Sequence, residues 1–180
     1  MTHQGKEARF LCDRMAGSLC RYLRLMGYDT LSANDMPPGD PREDSKLLMI
    51  ARDEDRILLT RDGELARRDQ IQALFLNGER LEDQIRQLIC ASLIIPELRL
   101  TRCSVCNNPL IPITEDDFGR LKRKIPDFGT TQEPVLWCRQ CTRAYWEGSH
   151  TSNMRNRITE ISKNDTVLNV TEVERSDDEA

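Results

Sequence analysis

A small parallel α/β sheet flanked by helices, with a cysteine-rich C-terminal appendage, is the fold class this sequence predicts. Three observations lead there. Short apolar runs alternate with helical apolar spacing between residues 9 and 90. Asp, Gly and Pro signals separate those runs, as turns require. Two CxxC pairs, Cys103/Cys106 and Cys138/Cys141, lie beyond the alternating region, with 31 residues between the pairs.

Arg9-Phe-Leu-Cys12 is a short apolar run closed by Asp13 and predicts the first strand. Leu19, Tyr22, Leu23 and Met26 recur at helical spacing, so Met15 to Met26 predicts a helix that Gly27 closes. Tyr28 to Leu31 predicts the second strand. Asn34 to Pro41 (NDMPPGDP) reads as a loop. A helix begins near Asp44, which either caps it or fills its first turn, with Leu47, Leu48 and Ala51 as the buried stripe. Arg56-Ile-Leu-Leu-Thr60 is the clearest strand and runs into Arg61-Asp62-Gly63. Glu64 to Asp69 predicts a short helix, Ile71 to Leu76 holds a fourth strand, and Gly78 turns the chain. Leu81, Ile85, Leu88 and Ile89 then give an amphipathic helix. The run 93–100, interrupted by Pro96, is a connector. Strands that alternate with helices pack as a parallel sheet with helices on both faces.

The chain has 180 residues, of which 38% are apolar. That size suits one domain or a compact domain with a small appendage, and excludes a large multidomain enzyme. No run of about 18 apolar residues is present, and the N-terminus lacks a signal-like apolar region, so a soluble, cytoplasmic protein with no membrane association is expected. The formal charge is -4, which taken whole argues against a nucleic-acid partner. Its distribution does not. Residues 1–100 carry -2, residues 101–158 carry +3, and residues 159–180 carry -5. The acidic excess thus belongs to the tail. An acidic total excludes a polycationic RNA-coating protein and leaves a nuclease with an acidic centre open. Three regions are expected: a sheet domain at 8–98, a cysteine ribbon at 99–160, and an acidic tail at 161–180. Val167, Leu168, Val170 and Val173 suit a short strand, and Glu174–Ala180 reads as disordered.

The CxxC pairs suit a tetrahedral zinc site on two tight turns. Two redox CxxC motifs, a disulfide pair and an iron–sulfur centre use the same residues. Four protein ligands leave no open position, so a zinc ion there holds structure and does not activate water. Cys12, Cys20 and Cys90 sit in apolar contexts and read as buried thiols.

Acidic residues recur at the ends of predicted strands. Asp13 follows the first, Asp62 follows the run ILLT, and Asp44 opens a helix after the second. Ligands of open parallel sheets bind outside the carboxyl ends of strands. Carboxylates gathered there suit magnesium or manganese, and imply phosphodiester hydrolysis with a metal-activated water. Each Asp is equally a residue for turns and helix caps, and spacing alone does not bring the three together.

Four segments carry a resemblance to a known family: FLCDRMAGSLCRYLRLMGYDT (10–30), EDSKLLMIARDEDRILLTRDGEL (43–65), RCSVCNNPL (102–110), and WCRQCTRAYWEGSH with Met154 (137–154). By these the chain resembles the Mut7-C RNase domain proteins, which look like PIN nucleases with an appended zinc ribbon. The resemblance frames roughly residues 9–158. It implies a PIN-like parallel sheet, a metal-dependent endoribonuclease site and one structural zinc. Carried over by motif, Asp13, Asp44 and Asp62 are the catalytic acids, with Glu43 the substitute if Asp44 serves only the helix. The chain departs from a four-acid PIN set near its fourth strand, where Asn77 stands about where another acid is expected. Asn offers a carbonyl oxygen without charge. Glu79, Glu82 and Asp83 are possible compensating acids, and three acids suffice for one magnesium ion.

Arg14, Arg21, Arg24, Arg61, Arg67 and Arg68 are candidate phosphate contacts around the acids; a solvated helix face with ion pairs explains them equally. In the ribbon, Arg120, Lys122, Arg123 and Lys124 form a basic arm, or a small helix packed through Phe118, Leu121 and Ile125. Arg139, Arg143, Arg155 and Arg157 extend the basic set. Trp137, Tyr145 and Trp146 either stack on bases or form the ribbon core, at least two of them being expected in the core. His150 is a phosphate contact or a structural residue. Two functions are weighed: RNA hydrolysis at an acidic Mg/Mn site, and a catalytically weak or inactive PIN-like module that binds structured RNA or a ribonucleoprotein. An adaptor that binds protein through the ribbon is the third possibility.

Overall fold

The parallel sheet is built from four short strands: β1 (Phe10–Cys12), β2 (Thr30–Ser32), β3 (Ile57–Thr60) and β4 (Ala73–Phe75). This architecture comes from a computed structural model, which describes residues 7–114, Asp117, Gly119 and 134–173. The order is β2-β1-β3-β4 with every pair parallel, and Phe10 stands level with Thr30 on one side and Ile57 on the other. All three residues of β1 are buried, as a central parallel strand requires.

Alternate strand residues enter different cores because successive side chains point to opposite faces. Phe10, Cys12 and Leu59 pack with α1 (Gly17–Leu25) and α4 (Leu81–Cys90) through Leu19, Leu23, Ile85 and Leu88. Leu11 and Leu58 pack on the other face with α2 (Glu43–Asp53) and α3 (Gly63–Arg68) through Leu47, Leu48, Ala51 and Leu65. Burial of each such leucine is worth roughly 1.5–3 kcal/mol. The expected element order is therefore present, with ends shifted by at most two residues. β2 starts at Thr30 and not at Tyr28, because the Tyr28 N–H still closes the end of α1 onto the Leu23 carbonyl at 3.0 Å. Asp44 is the second residue of α2, not its cap.

The appendage holds an antiparallel sheet in the order β5-β6-β7, from β5 (Ile111–Pro112), β6 (Leu136–Cys138) and β7 (Arg143–Tyr145). Trp137 is its buried centre, against Ile111, Ile113, Val135 and Ala144. A long helix follows, α5 (Ser149–Val173). It lays Met154, Ile158 and Ile161 on the α1/α4 core. Arg157 reaches Glu82 on α4 and lies over the Tyr22 ring. The strand expected around Val167 is absent; the chain continues as helix to Val173, across the boundary expected at 160/161.

The appendage is tied to the amino end of the parallel sheet. Asn107, in left-handed backbone after Cys106, accepts from the Thr30 N–H and donates to Asp29. Arg102 donates to the Gly27 carbonyl. Gly27 has φ +96, and a Cβ there would stand 2.8 Å from the Thr101 hydroxyl. Arg24 corrects the expectation of an RNA contact. It is 3% exposed, and its guanidinium donates to Thr30 and Val105 carbonyls and pairs with Asp35. It is an internal strut between sheet and appendage. No described helix is long and apolar enough to cross a membrane.

Candidate functional site

Both strand-end aspartates cap the helical turns that follow them. Asp13 follows β1, and its Oδ1 accepts from the N–H groups of Met15 (2.8 Å) and Ala16 (3.0 Å). Asp62 follows β3, and its Oδ1 accepts from Glu64 (2.7 Å) and Leu65 (3.1 Å) at the start of α3. Carboxylates at such positions satisfy backbone donors that have no partner inside the helix. Thr60 joins the pair. Its hydroxyl donates to Asp13 Oδ2 and accepts from the Asp62 N–H at 2.9 Å. Asp13 Oδ2 also accepts from the Arg61 N–H at 3.1 Å. The two acids are thus linked across the carboxyl ends of adjacent strands, Asp13 buried and Asp62 exposed. Asp62 Oδ2 makes no hydrogen bond among the described residues.

The other candidates spread around this rim. Glu43 binds Arg14 through both oxygens, at 2.6–3.1 Å. Asp44 turns the other way, to Arg68 at 3.4 Å. Of the two acids that open α2, Glu43 is the one tied to the residue after Asp13. Glu79 pairs with Arg61 (2.7 Å), Glu82 with Arg157, and Asp83 with Arg86 (2.9 Å). Asn77 is exposed just beyond β4, with its N–H bonded to Gln87. Among the described residues, Asp13, Asp44 and Asp62 do not form a three-ligand acidic cluster. At this rim Asp13 and Asp62 share the Thr60 hydroxyl, while Glu43 and Asp44 are held by arginines, so no third acid joins the pair among the described residues. Arg21 and Arg67 are exposed and make no ion pair among the described residues.

Sequence reasoning passed over Thr60 and Phe75. A threonine at a strand end two residues before an aspartate was the available signal for Thr60. Phe75 is a 40% exposed aromatic at the edge of the sheet, and it lines a shallow cleft with Gly63 and Arg67. Nothing in the pattern of an edge strand distinguishes it from a core residue.

Cys103, Cys106, Cys138 and Cys141 place their sulfurs within 4.8 Å of one another. Zinc with sulfurs at about 2.3 Å in a tetrahedron sets S···S edges of about 3.8 Å, so the set fits a zinc-type ion. Asn107 and Thr142, each following the second cysteine of its pair, both have positive φ, which gives the two turns a shared shape. Burial pushes the Cys103 thiol up, but the Tyr145 hydroxyl and the N–H groups of Cys106 and Val105 outweigh it and bring it down to about 7. Burial and the neighbouring sulfurs instead raise Cys138 and Cys141. A cation removes that mutual repulsion.

Trp137 is 3% exposed and belongs to the core of the appendage. Tyr145 is spent on Cys103 and Ser104. Trp146 remains exposed, as do Arg143 and His150. Lys122, Arg123 and Lys124, with Arg120, and the tail end from Glu174 lie outside the described residues.

The family described as Mut7-C RNAse domain matches residues 8–158. No curated protein matches the chain, and no solved structure does.

Proposed function

Since the chain belongs to the Mut7-C RNAse domain family, we propose that it is a metal-dependent endoribonuclease, acting at the carboxyl rim of its parallel sheet. The observation that carries this reading is the Asp13–Thr60–Asp62 link across β1 and β3. One hydroxyl positions both carboxylates, and the caps at Met15, Ala16, Glu64 and Leu65 orient them. Asp62, through its open oxygen, and Asp13 would hold magnesium or manganese, with Glu43 or Asp44 completing the set once an arginine partner lets go. When bound, such an ion supplies water activation near neutral pH and stabilises charge on the leaving oxygen. Arg21 and Arg67 are free to meet phosphates. Arg14, Arg61 and Arg68 would exchange a carboxylate partner for a phosphate, so RNA affinity falls steeply with salt. The four cysteines hold one structural zinc that stiffens the appendage. The substrate is RNA, structured or within a ribonucleoprotein, in the cytoplasm.

A second reading, an RNA- or ribonucleoprotein-binding module with a weak or inactive site, has its own support. Asp13 already accepts four hydrogen bonds, Glu43 and Asp44 are arginine-paired, and Asn77 brings no charge. Cleavage assays separate the two. Single-stranded and structured RNAs are incubated with manganese or with chelator, using wild type, Asp13→Asn and Asp62→Asn. Hydrolysis predicts manganese-dependent cuts that fall at least a hundredfold in both variants. Cleavage undiminished in both would refute the site, and salt-sensitive binding with no cleavage would favour the module.

A further inference from the structure

Away from the acidic rim, a cavity of about 470 Å³ opens between β7, the first turn of α5 and the end of α1. Its walls include Trp146, Tyr145, Arg143, His150, Leu25 and Met154, and none of the lining residues is acidic. We propose that this cavity is a binding site for one unpaired nucleotide of an RNA strand. The base would lie against the Trp146 indole. The phosphate would meet Arg143, His150 and the N–H groups that open α5. The inference rests on the reading of RNA as the substrate and extends it to a second site.

Size, lining and charge argue for this occupant. Pockets for small organic ligands run from about 300 to 1,000 Å³ and combine apolar walls with a few polar groups. Trp146 is 37% exposed although it lines a largely apolar cavity. Its indole rests on Gly148, where a Cβ would come within 3.2 Å of Nε1. The ring is therefore supported at its edge by a residue that has no side chain. Base–aromatic stacking uses such a fixed, accessible ring and works with any base.

The polar side of the cavity selects an anion. Arg143 and His150 are exposed and have no acidic partner among the described residues, whereas many arginines elsewhere in the chain are paired. The first turn of α5 carries no acidic side chain. The Gly148 N–H is taken by the Thr151 hydroxyl at 2.6 Å and the Ser152 N–H by the Gly148 carbonyl, while the N–H groups of Ser149, His150 and Thr151 have no partner within the helix. They add directed donors to the Arg143 guanidinium and the His150 ring. A lone phosphate would not need the indole, and an apolar peptide would not need the guanidinium. A nucleotide uses both.

The location adds a constraint. Helix α1 runs from Gly17, just after the Asp13 turn, to Leu25 in the cavity wall. Eight residues of helix rise about 12 Å. A strand that fills both sites therefore places the held nucleotide several positions from the cut. At about 3.4 Å per nucleotide, the spacing of a stacked strand, the gap is roughly three to four nucleotides.

The test uses the full zinc-loaded chain and a fluorescein-labelled single-stranded oligoadenylate, without added magnesium or manganese, read by fluorescence anisotropy. Trp146→Ala is expected to weaken binding roughly 5- to 150-fold, the worth of one base–aromatic stack. Trp146→Phe should retain most of the affinity. Arg143→Gln, at an exposed strand position that does not threaten folding, should reduce the slope of log affinity against log salt by about 1. A fully paired duplex should compete poorly, because its bases are not available to the indole. The proposal is overturned if Trp146→Ala and Arg143→Gln, both retaining zinc, bind like wild type. It is also overturned if the duplex competes as well as the single strand. RNA cleavage that persists with no role for Trp146 in binding would remove this pocket and leave the rim reading intact. Trp146-dependent binding without any cleavage would do the reverse.

Discussion

Asp29 sits where the amino end of the parallel sheet meets the first cysteine turn. Burial raises its pKa, but hydrogen bonds from Arg56 and Asn107, and then Arg9, overcome that and hold it down to about 2. A carboxyl whose folded value lies below its ordinary 3.8 adds stability that is present above about pH 4 and lost as pH falls toward 2. Asp29→Asn should therefore cost about 2 kcal/mol at neutral pH, with the gap to wild type closing between pH 4 and 2. Urea denaturation across that range measures it. Arg24 shows why such roles are hard to read from sequence. Three residues after Arg21 on one helix, it reads as part of the same basic face. Yet Arg21 is exposed, while Arg24 turns inward and supplies donors to carbonyls of Thr30 and Val105. Those carbonyls come from segments far apart in sequence, and no local pattern announces them. Arg24→Met should destabilise the fold by about 2–4 kcal/mol, since it strands buried acceptors, and leave the salt dependence of RNA binding unchanged. A salt slope that drops with Arg24→Met would contradict its place as a strut.

At the scale of elements, the sheet and its helices were legible because each signal was local. Phe10, Leu11 and Cys12 form a continuous apolar run, and Leu19 and Leu23 sit one helical turn apart. Leu23, fully buried against the sheet, should cost about 2–5 kcal/mol when replaced by alanine. Thermal unfolding followed by circular dichroism gives the shift. Helix α5 was missed although Met154, Ile158 and Ile161 stand at helical spacing. That stripe is thin, and the other residues from Ser149 to Lys163 are polar, so tertiary contact with α1 and α4 sustains this part of the helix rather than a broad apolar face. The cysteine turns were legible because ligand spacing is itself the signal. One zinc per chain is expected by metal analysis, lost in Cys103→Ser/Cys138→Ser. Since Asn107 and Arg24 tie the first turn to the sheet, loss of zinc should lower the unfolding temperature of the whole molecule, not of the appendage alone.

For the whole molecule, the total of -4 conceals an arrangement. Asp13 and Asp62 are linked through Thr60 at the carboxyl rim, the place proposed for a cation. Among the described residues, Arg21 on α1 and Arg67 on α3 have no acidic partner, and neither has Arg143 in the cavity at the other end of α1. Sequence supplied the residues of the rim but not their geometry. Asp13 and Asp62 follow adjacent strands, so the topology brings them together; Asp44 lies on the second residue of α2, where its direction depends on how that helix packs. Packing sends Asp44 to Arg68 and Glu43 to Arg14, an outcome no spacing encodes. The central claim is that the Asp13–Thr60–Asp62 rim holds a divalent ion. Electron paramagnetic resonance of manganese titrated into the zinc-loaded protein tests this most directly. At least one bound manganese per chain is predicted for wild type, with affinity reduced tenfold or more in Asp62→Asn. Wild type that binds no manganese, or Asp62→Asn that binds it equally well, would contradict the account.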